Sequence, residues 1–584
     1  MSRSGSPSAP DPTQRVVRVL PDEPAIDREF DYLVPHGMQV GLGDVVRVTL
    51  HGRRVGGWVV ADDVEPASGV DVQPIAKRSG IGPQSDLIDL AGWAAWRWAG
   101  RRASFLRTAA PPHVVEALPP TAPRRVPPPV VDDPLVREAL AQPVGVLRLP
   151  PTADRFPVAL AAAGLGQALL LVPAVGQARS LAVRLRRSGV DVALHPRDWG
   201  SAAAGRVVVG ARAAAWAPAP DLAAVVVFDE HDEVWQEERT PTWHARDVAI
   251  ERARRAGVPC LLVSPTPSLE ALDAGRLVEP SRAAERAGWP ILDVIDRRDE
   301  DPVRGGLWSE RLVPALRDEG RVVCVLNRKG RSRLLACVQC GEIARCESCG
   351  ASVEQGEPGV LRCRHCGLER PQVCQDCGAT AQKNLRVGVT RAREELEALV
   401  GETVVEVTGA SVDGPLPDGR VYIGTEAVLH HVPAADRVVF LDLDQELLAP
   451  RYRAAEEALT LLVRAARVVG RRGEGGRVVV QTRMPHHVVV QSVLRADPAR
   501  FSAVERARRR EMDFPPTTAL CEVSGPAGPE MIERLGEPLG VEILGPNDGR
   551  WLLRAPDHRV LCDALAAVPR PPGRVRIAVD PPRV

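Results

Sequence analysis

Residues 16 to 60 alternate short apolar runs with turn residues: VVRVL, FDYLV, GDVVRVTL and RVGGWVV. Apolar positions at period two predict half-buried strands, and HGR between the last two runs predicts a hairpin turn. The stretch reads as a small β-rich domain. The period then changes to helical in SDLIDLAGWAAWRWAGRR, where Trp93, Trp96 and Trp98 are expected to pack a helix against that domain, the alternative being rings that stack bases. From Pro119 to Pro134 the run PPTAPRRVPPPVVDDP holds too much proline for a core element and predicts a stiff spacer.

Beyond the spacer, runs apolar on both faces (ALLLVPA, RVVVGA, DLAAVVVFDEHD, PCLLVSPTP) alternate with arginine-rich amphipathic stretches such as QARSLAVRLRRSG and VAIERARRAG. This alternation predicts a parallel sheet covered by helices. A second α/β pattern runs from Gly320 to about Thr482, with strands RVVCVL, RVYIG, DRVVFLDLD and GRVVVQT and a cysteine cluster after the first. The remainder reads as a smaller α+β unit, with a basic helix, VERARRREM, before strands CEVSG, VEILG, WLLRA and RIAVD.

The predicted order is a disordered tail (1–13), a β-rich domain (14–116), a linker (117–142) and a first parallel-sheet lobe (143–285). A second lobe (286–335 and 379–490) carries a cysteine-rich module (336–378), and an α+β domain (491–584) follows.

At roughly 100 to 200 residues per domain, 584 residues agree with this multidomain α/β reading. With 45% apolar and 26% charged residues, and no apolar run near the ~20 residues of a membrane span, the composition predicts a cytoplasmic globular protein and excludes membrane insertion. The opening MSRSGSPSAPDPTQR lacks the apolar core of an export signal. Seventy-five basic residues balance seventy-five acidic ones, so contacts with nucleic acid must come from local patches. Only Lys77, Lys329 and Lys383 are lysines, and the other basic residues are arginines.

Eight of the twelve cysteines form four CxxC pairs, a spacing that presents two thiolates to one ion. Four pairs therefore predict two closed, structural zinc sites of four thiolates each. Thirteen residues separate the second and third pairs, close to a zinc-ribbon hairpin, which groups Cys346, Cys349, Cys363 and Cys366. The outer pairs, Cys337, Cys340, Cys374 and Cys377, then form the other site. His365 is left no coordination vacancy, and Cys260, Cys324, Cys521 and Cys562 are expected to be buried thiols in apolar runs. Before the cluster, NRKGRSR places Arg328, Lys329, Arg331 and Arg333 together, either a DNA-phosphate patch or a solvated loop.

The order FDYLVPHGM, FDEHD, WHARD, VLNRKG, four CxxC pairs, YIGTE, LDLD and AVDP resembles the family of the bacterial replication restart protein PriA, or primosomal protein N′, over nearly the whole chain. The resemblance implies an N-terminal domain that binds DNA 3′ ends, two superfamily 2 helicase lobes, a two-zinc module and a C-terminal DNA-binding domain. It implies that Phe30, Asp31, Tyr32 and Gly37 form the 3′-end pocket, the carboxylate accepting the terminal 3′-OH while an aromatic ring stacks the last base. Implied partners are forked and single-stranded DNA, primosome proteins including the helicase loader and replicative helicase, and the single-stranded DNA-binding protein, on the nucleoid.

Several helicase motifs depart from the family pattern. LRLPPTADRFPVAL stands where the family has its P-loop, and no Gly-Lys dipeptide occurs in the chain. The family's DEEH box resembles Val227 to His231, with Phe228 at the first aspartate and Asp229, Glu230 and His231 retained. Ser264, Pro265 and Thr266 replace the SAT motif, and RAARVVGR, Arg464 to Arg471, stands for the arginine-finger motif, leaving Arg467 and Arg471 as candidate phosphate contacts. The proline-rich linker replaces a winged helix. With the resemblance, these departures lead to the expectation of a chain that is not an enzyme: it recognises stalled or abandoned forks and nucleates primosome assembly to reload the replicative helicase, without helicase activity of its own. The alternative is an active ATP-dependent 3′ to 5′ helicase with a divergent nucleotide site.

Overall fold

A computed structural model describes residues 15–23, 26–66, 71–120, 131–298, 300, 306–326, 335–356, 358–363, 366–384, 389–408 and 416–583. The patch Arg328, Lys329, Arg331 and Arg333, as well as His365, lies outside the described residues.

Five antiparallel strands open the chain: β1 (Val16–Pro21), β2 (Phe30–Leu33), β3 (Val45–Leu50), β4 (Arg53–Asp62) and β5 (Lys77–Gly80), in sheet order β2-β1-β4-β3-β5. Along β3 the buried Val46, Val48 and Leu50 alternate with exposed Arg47 and Thr49, the expected period of two. Leu50 pairs with Arg53 across the turn, where His51 (φ 49°) and Gly52 (φ 78°) take the two positive φ angles of a type I′ hairpin.

The tryptophan segment folds as the helix Ser85–Arg97, followed by Arg102–Ala109. Its rings reach further than the β domain. Trp93 meets Trp98 edge-on at 5.3 Å, and Trp98, Phe105, Trp216 and Trp243 continue as a chain of ring contacts into the first lobe. Trp96 donates its indole N–H to Asp563 of the C-terminal unit at 2.9 Å. One apolar core thus joins Leu20 and Trp58 of the first sheet, these helices, one face of the first lobe, and Cys521 and Leu561 near the C-terminus.

The first lobe is a parallel sheet of β6 (Val144–Arg148), β7 (Gln167–Leu171), β8 (Val192–Leu194), β9 (Val207–Gly210), β10 (Leu222–Phe228), β11 (Cys260–Ser264) and β12 (Arg276–Val278), in order β12-β6-β11-β10-β7-β9-β8. The second lobe begins with β13 (Ile291–Asp296) and β14 (Val322–Val325). The chain then leaves that sheet for five short strands: β15 (Leu335–Cys337), β16 (Val353–Gln355), β17 (Val360–Cys363), β18 (Glu369–Pro371) and β19 (Gln382–Asn384). It returns with β20 (Val404–Val407), β21 (Val421–Gly424), β22 (Arg437–Phe440) and β23 (Arg477–Thr482), giving the parallel order β13-β23-β22-β14-β21-β20. Both sheets are covered on two faces, as their unbroken apolar strands require.

The predicted basic helix spans Pro498–Glu511, and its Phe501 packs in the second-lobe core. The last sheet is antiparallel: β24 (Ala519–Ser524), β25 (Glu542–Asn547), β26 (Arg550–Ala555) and β27 (Arg576–Val579), in order β25-β26-β24-β27. Cys260, Cys324, Cys521 and Cys562 are buried, as expected. Among the described residues, no helix is long and apolar enough to cross a membrane.

Candidate metal centres, lobe cleft and nucleic-acid interface

The inserted strands build two cysteine clusters. β15 pairs with β19 and brings the outer CxxC turns together, while the antiparallel ribbon β16-β17-β18 carries the inner ones. The sulfurs of Cys337, Cys340, Cys374 and Cys377 form one group, and those of Cys346, Cys349, Cys363 and Cys366 the other. Sulfur separations are 3.5 Å for Cys337 to Cys377 and Cys340 to Cys374, 3.4 Å for Cys346 to Cys366 and 3.5 Å for Cys349 to Cys363. A disulfide needs ~2.05 Å. Four thiolates ~2.3 Å from one ion sit roughly 3.8 Å apart along each tetrahedral edge. Both clusters therefore suit a zinc ion. The inner cluster is tied to its surroundings by Arg508, which donates to the Cys349 carbonyl at 3.1 Å, and by Met512 packed against it.

The lobes face each other across a cleft in which Asp229, Glu230 and His231 follow β10. Phe228 is buried at the strand end, and Asp229 turns the chain with φ 52°. The Asp229 carboxylate is 1% exposed and is gripped by Arg155 from its own lobe and Arg467 from the other, the latter at 2.5 and 2.9 Å. Burial alone would raise its pKa, but the Arg467 and Arg155 charges outweigh burial and hold it well below the usual carboxylate range.

Glu230 accepts from the Ser268 N–H and hydroxyl, both at 2.8 Å, and burial raises its pKa. The His231 ring shares a 2.8 Å hydrogen bond with Ser264 of the Ser-Pro-Thr segment, and burial lowers its pKa to about 4. Arg464 closes on Asp232 at 2.9 Å, whereas Arg471 pairs with the neighbouring Glu474 at 2.8 Å. A cavity of about 500 Å³ opens beside these groups, lined by Glu230, His231, Thr266, Glu457 and Arg464 among others. Arg155 and the Arg467 to Asp229 contact escaped the sequence reading, which looked for a lysine.

In the first domain, Arg18 and Asp31 are cross-strand partners, and the Arg18 guanidinium donates to both carboxylate oxygens at 2.8 and 3.3 Å. Period two puts Phe30 and Tyr32 on the other face of β2. Tyr32 is 3% exposed and donates its hydroxyl to the Thr49 carbonyl at 3.2 Å, and Phe30 packs partly buried against the same core. Gly37 (φ 82°) sits in the exposed turn after β2, with open space where a Cβ would stand.

Two parallel-sheet lobes around a charged cleft, an inserted two-zinc module and an N-terminal antiparallel domain define a helicase-like protein. Residues 18–111 match the PriA family's 3′DNA-binding domain (3′BD). The chain is 31% identical to the probable replication restart protein PriA of Mycobacterium tuberculosis, with 90% of this chain and 89% of that protein aligned. It belongs to the PriA family. The replication restart proteins PriA of Haemophilus influenzae and Bacillus subtilis are each 29% identical, over 60% and 55% of this chain. The match spans about half the length of these two relatives, 53% and 43%.

Solved structures with low similarity to this chain include the DExH-box NTPase HrpB of E. coli (15% identity, TM-score 0.32, 60% of this chain and 40% of that one). RecG bound to a three-way DNA junction is another (11% identity, TM-score 0.35, 65% and 47%).

The expectation that the chain is not an enzyme is corrected by the family it belongs to, together with its own helicase-like pair of parallel-sheet lobes. The error has a physical source. The expectation rested on the missing lysine, the missing loop glycines and Phe228, motif positions that leave out Arg155, which reaches the cleft from the segment in the P-loop position and shares Asp229 with Arg467.

Proposed function

We propose that this protein is a replication restart factor that recognises abandoned DNA forks through an exposed 3′ end and nucleates primosome assembly there. The observation that carries the reading is the 3′DNA-binding domain over residues 18–111 in a chain of the PriA family. Within that domain Asp31 supplies the carboxylate for a terminal 3′-OH. Arg18 fixes its orientation, and each oxygen keeps lone-pair capacity to accept a further hydrogen bond. With Tyr32 committed to the core, recognition falls to Asp31, the half-buried Phe30 and the open turn at Gly37.

The partners that follow are forked and single-stranded DNA, the single-stranded DNA-binding protein, other primosome proteins, the helicase loader and the replicative helicase. The site of action is the cytoplasm, on the nucleoid. The two-zinc module, inserted in the second lobe, is the docking platform for assembly.

Binding of labelled forks ending in a 3′-OH or a 3′-phosphate tests the reading. A phosphate crowds and repels the carboxylate, so the 3′-OH fork binds several-fold more tightly, and Asp31→Ala removes the preference. Equal affinity of the unmodified protein for both ends refutes 3′-end recognition.

A further inference from the structure

A second cavity, of about 630 Å³, lies where three parts of the chain meet: Arg101, Ser104 and Arg107 of the first domain, Arg239 of the first lobe, and Arg570, Arg574 and Arg576 near the C-terminus. Six arginines line it against two carboxylates, Glu23 and Glu238. Three of the six are engaged. Arg107 pairs with Asp22, Arg570 donates to the Ala99 carbonyl, and Arg576 donates to the Glu238 carbonyl at 3.2 Å. Arg101, Arg239 and Arg574 make no side-chain hydrogen bond or ion pair among the described residues. Arg239 and Arg574 are exposed and Arg101 is half-buried, so three guanidiniums without a protein partner open into one cavity where an anion can reach them together. Arg101 also lies close enough to Arg570 for its charge to add to the burial that lowers the Arg570 pKa.

We propose that this cavity binds the backbone phosphates of DNA, so that one strand bridges the 3′DNA-binding domain, the first lobe and the C-terminal unit. The inference rests on the DNA-binding reading of residues 18–111 and extends it to a second site on the edge of that domain. Guanidinium forks match phosphate oxygens two at a time, which suits a chain almost devoid of lysine. The remaining lining is glycine, proline, alanine, serine, threonine and valine, with no aromatic ring to stack a base or enclose a small apolar ligand. Contacts of this kind track the backbone irrespective of sequence. The cavity in the lobe cleft is unsuited to the same ligand, because carboxylates outnumber arginines in its lining.

The test uses the full chain and the triple variant Arg101→Gln/Arg239→Gln/Arg574→Gln in anisotropy titrations of a labelled fork across a salt series. Each phosphate contact contributes a slope of about 0.7 to 0.9 in log K against log salt. The variant therefore loses about two to three from the slope, and roughly tenfold or more in affinity, on forks and on duplex alike. Its melting temperature holds, since the three side chains bind nothing in the fold.

An unchanged slope and affinity overturn the proposal. So does loss of inorganic phosphate binding by calorimetry with DNA binding intact, which would make the cavity a site for free phosphate. Should the unmodified protein show no preference for 3′-OH forks while the variant still loses slope, the fork reading falls and the cavity stands.

Discussion

Removing the Asp229 carboxylate tests whether the lobe cleft is held by charge. In Asp229→Ala, Arg155 and Arg467 lose their shared counter-ion and face each other, and Arg155 is already subject to burial and to the Arg467 charge, which lower its pKa. Removing one partner of a fully buried pair costs about 3–5 kcal/mol. Here the carboxylate is 1% exposed but the guanidiniums are 31% and 24% exposed, so solvent screens part of the repulsion and about 2–3 kcal/mol is the expected loss. For lobes of this size that corresponds to a fall of roughly 4–10 °C in the first melting transition by calorimetry. Arg467→Ala restores part of this in the Asp229→Ala background, because it removes the repelled cation. The expected coupling in the double-mutant cycle is at least about 1.5 kcal/mol. Additive single effects, within about 0.5 kcal/mol, refute the ion-pair account of the closed cleft.

Metal analysis of protein purified without chelators gives two zinc ions per chain, and Cys349→Ser, by opening the buried inner cluster, halves that number while the parallel sheets persist. The 3′-OH preference and its loss in Asp31→Ala are read from the fork titrations. Acid unfolding has a defined window: burial lowers the folded pKa of His195 and His231 to about 4 and of His244 to about 3, below an unfolded value of ~6.5. The unfolded chain therefore binds more protons in between. The contribution of these histidines is full above pH ~6.5 and is lost as pH falls toward 4, on the order of 1–3 kcal/mol for each. A denaturation midpoint that holds steady between pH 7 and pH 4.5 contradicts that burial.

What the sequence disclosed followed from local period. Strands such as LAAVVVF and VVCV are apolar on both faces, which names a covered parallel sheet, and the CxxC spacings group the sulfurs as the two clusters do. The tryptophan helix was legible as a helix, but the partners of its rings were not: Trp216 and Asp563 are remote in sequence and leave no trace in a helical pattern. The cleft was hidden for the same reason. Arg155, Asp229 and Arg467 come from three distant segments, and a search for one lysine at one motif could not see those segments converge. The alternation in FDYL did carry one lesson that the motif obscured, since period two already separates Asp31 from the two rings beside it.

The neutral net charge and the near-absence of lysine come together in how the units are tied. Arg97, 8% exposed, bonds Asp580 at 2.7 Å and lies 3.4 Å from Asp247, so one guanidinium joins the tryptophan helix, the first lobe and the C-terminal strand end. Arg509, 1% exposed, holds Glu505 of its own helix, Glu456 of the second lobe and Glu270 of the first. A lysine ammonium, a compact point charge, is poorly shaped to span carboxylates from separate bodies, whereas the planar fork of arginine presents five donors in fixed directions. Each such tie costs several kcal/mol in desolvation, which is offset only while all its carboxylates remain in place. Shifting one unit therefore exposes a half-compensated charge in the next. A strand of DNA bound as proposed at Arg101, Arg239 and Arg574 would meet the same three units that Arg97 joins.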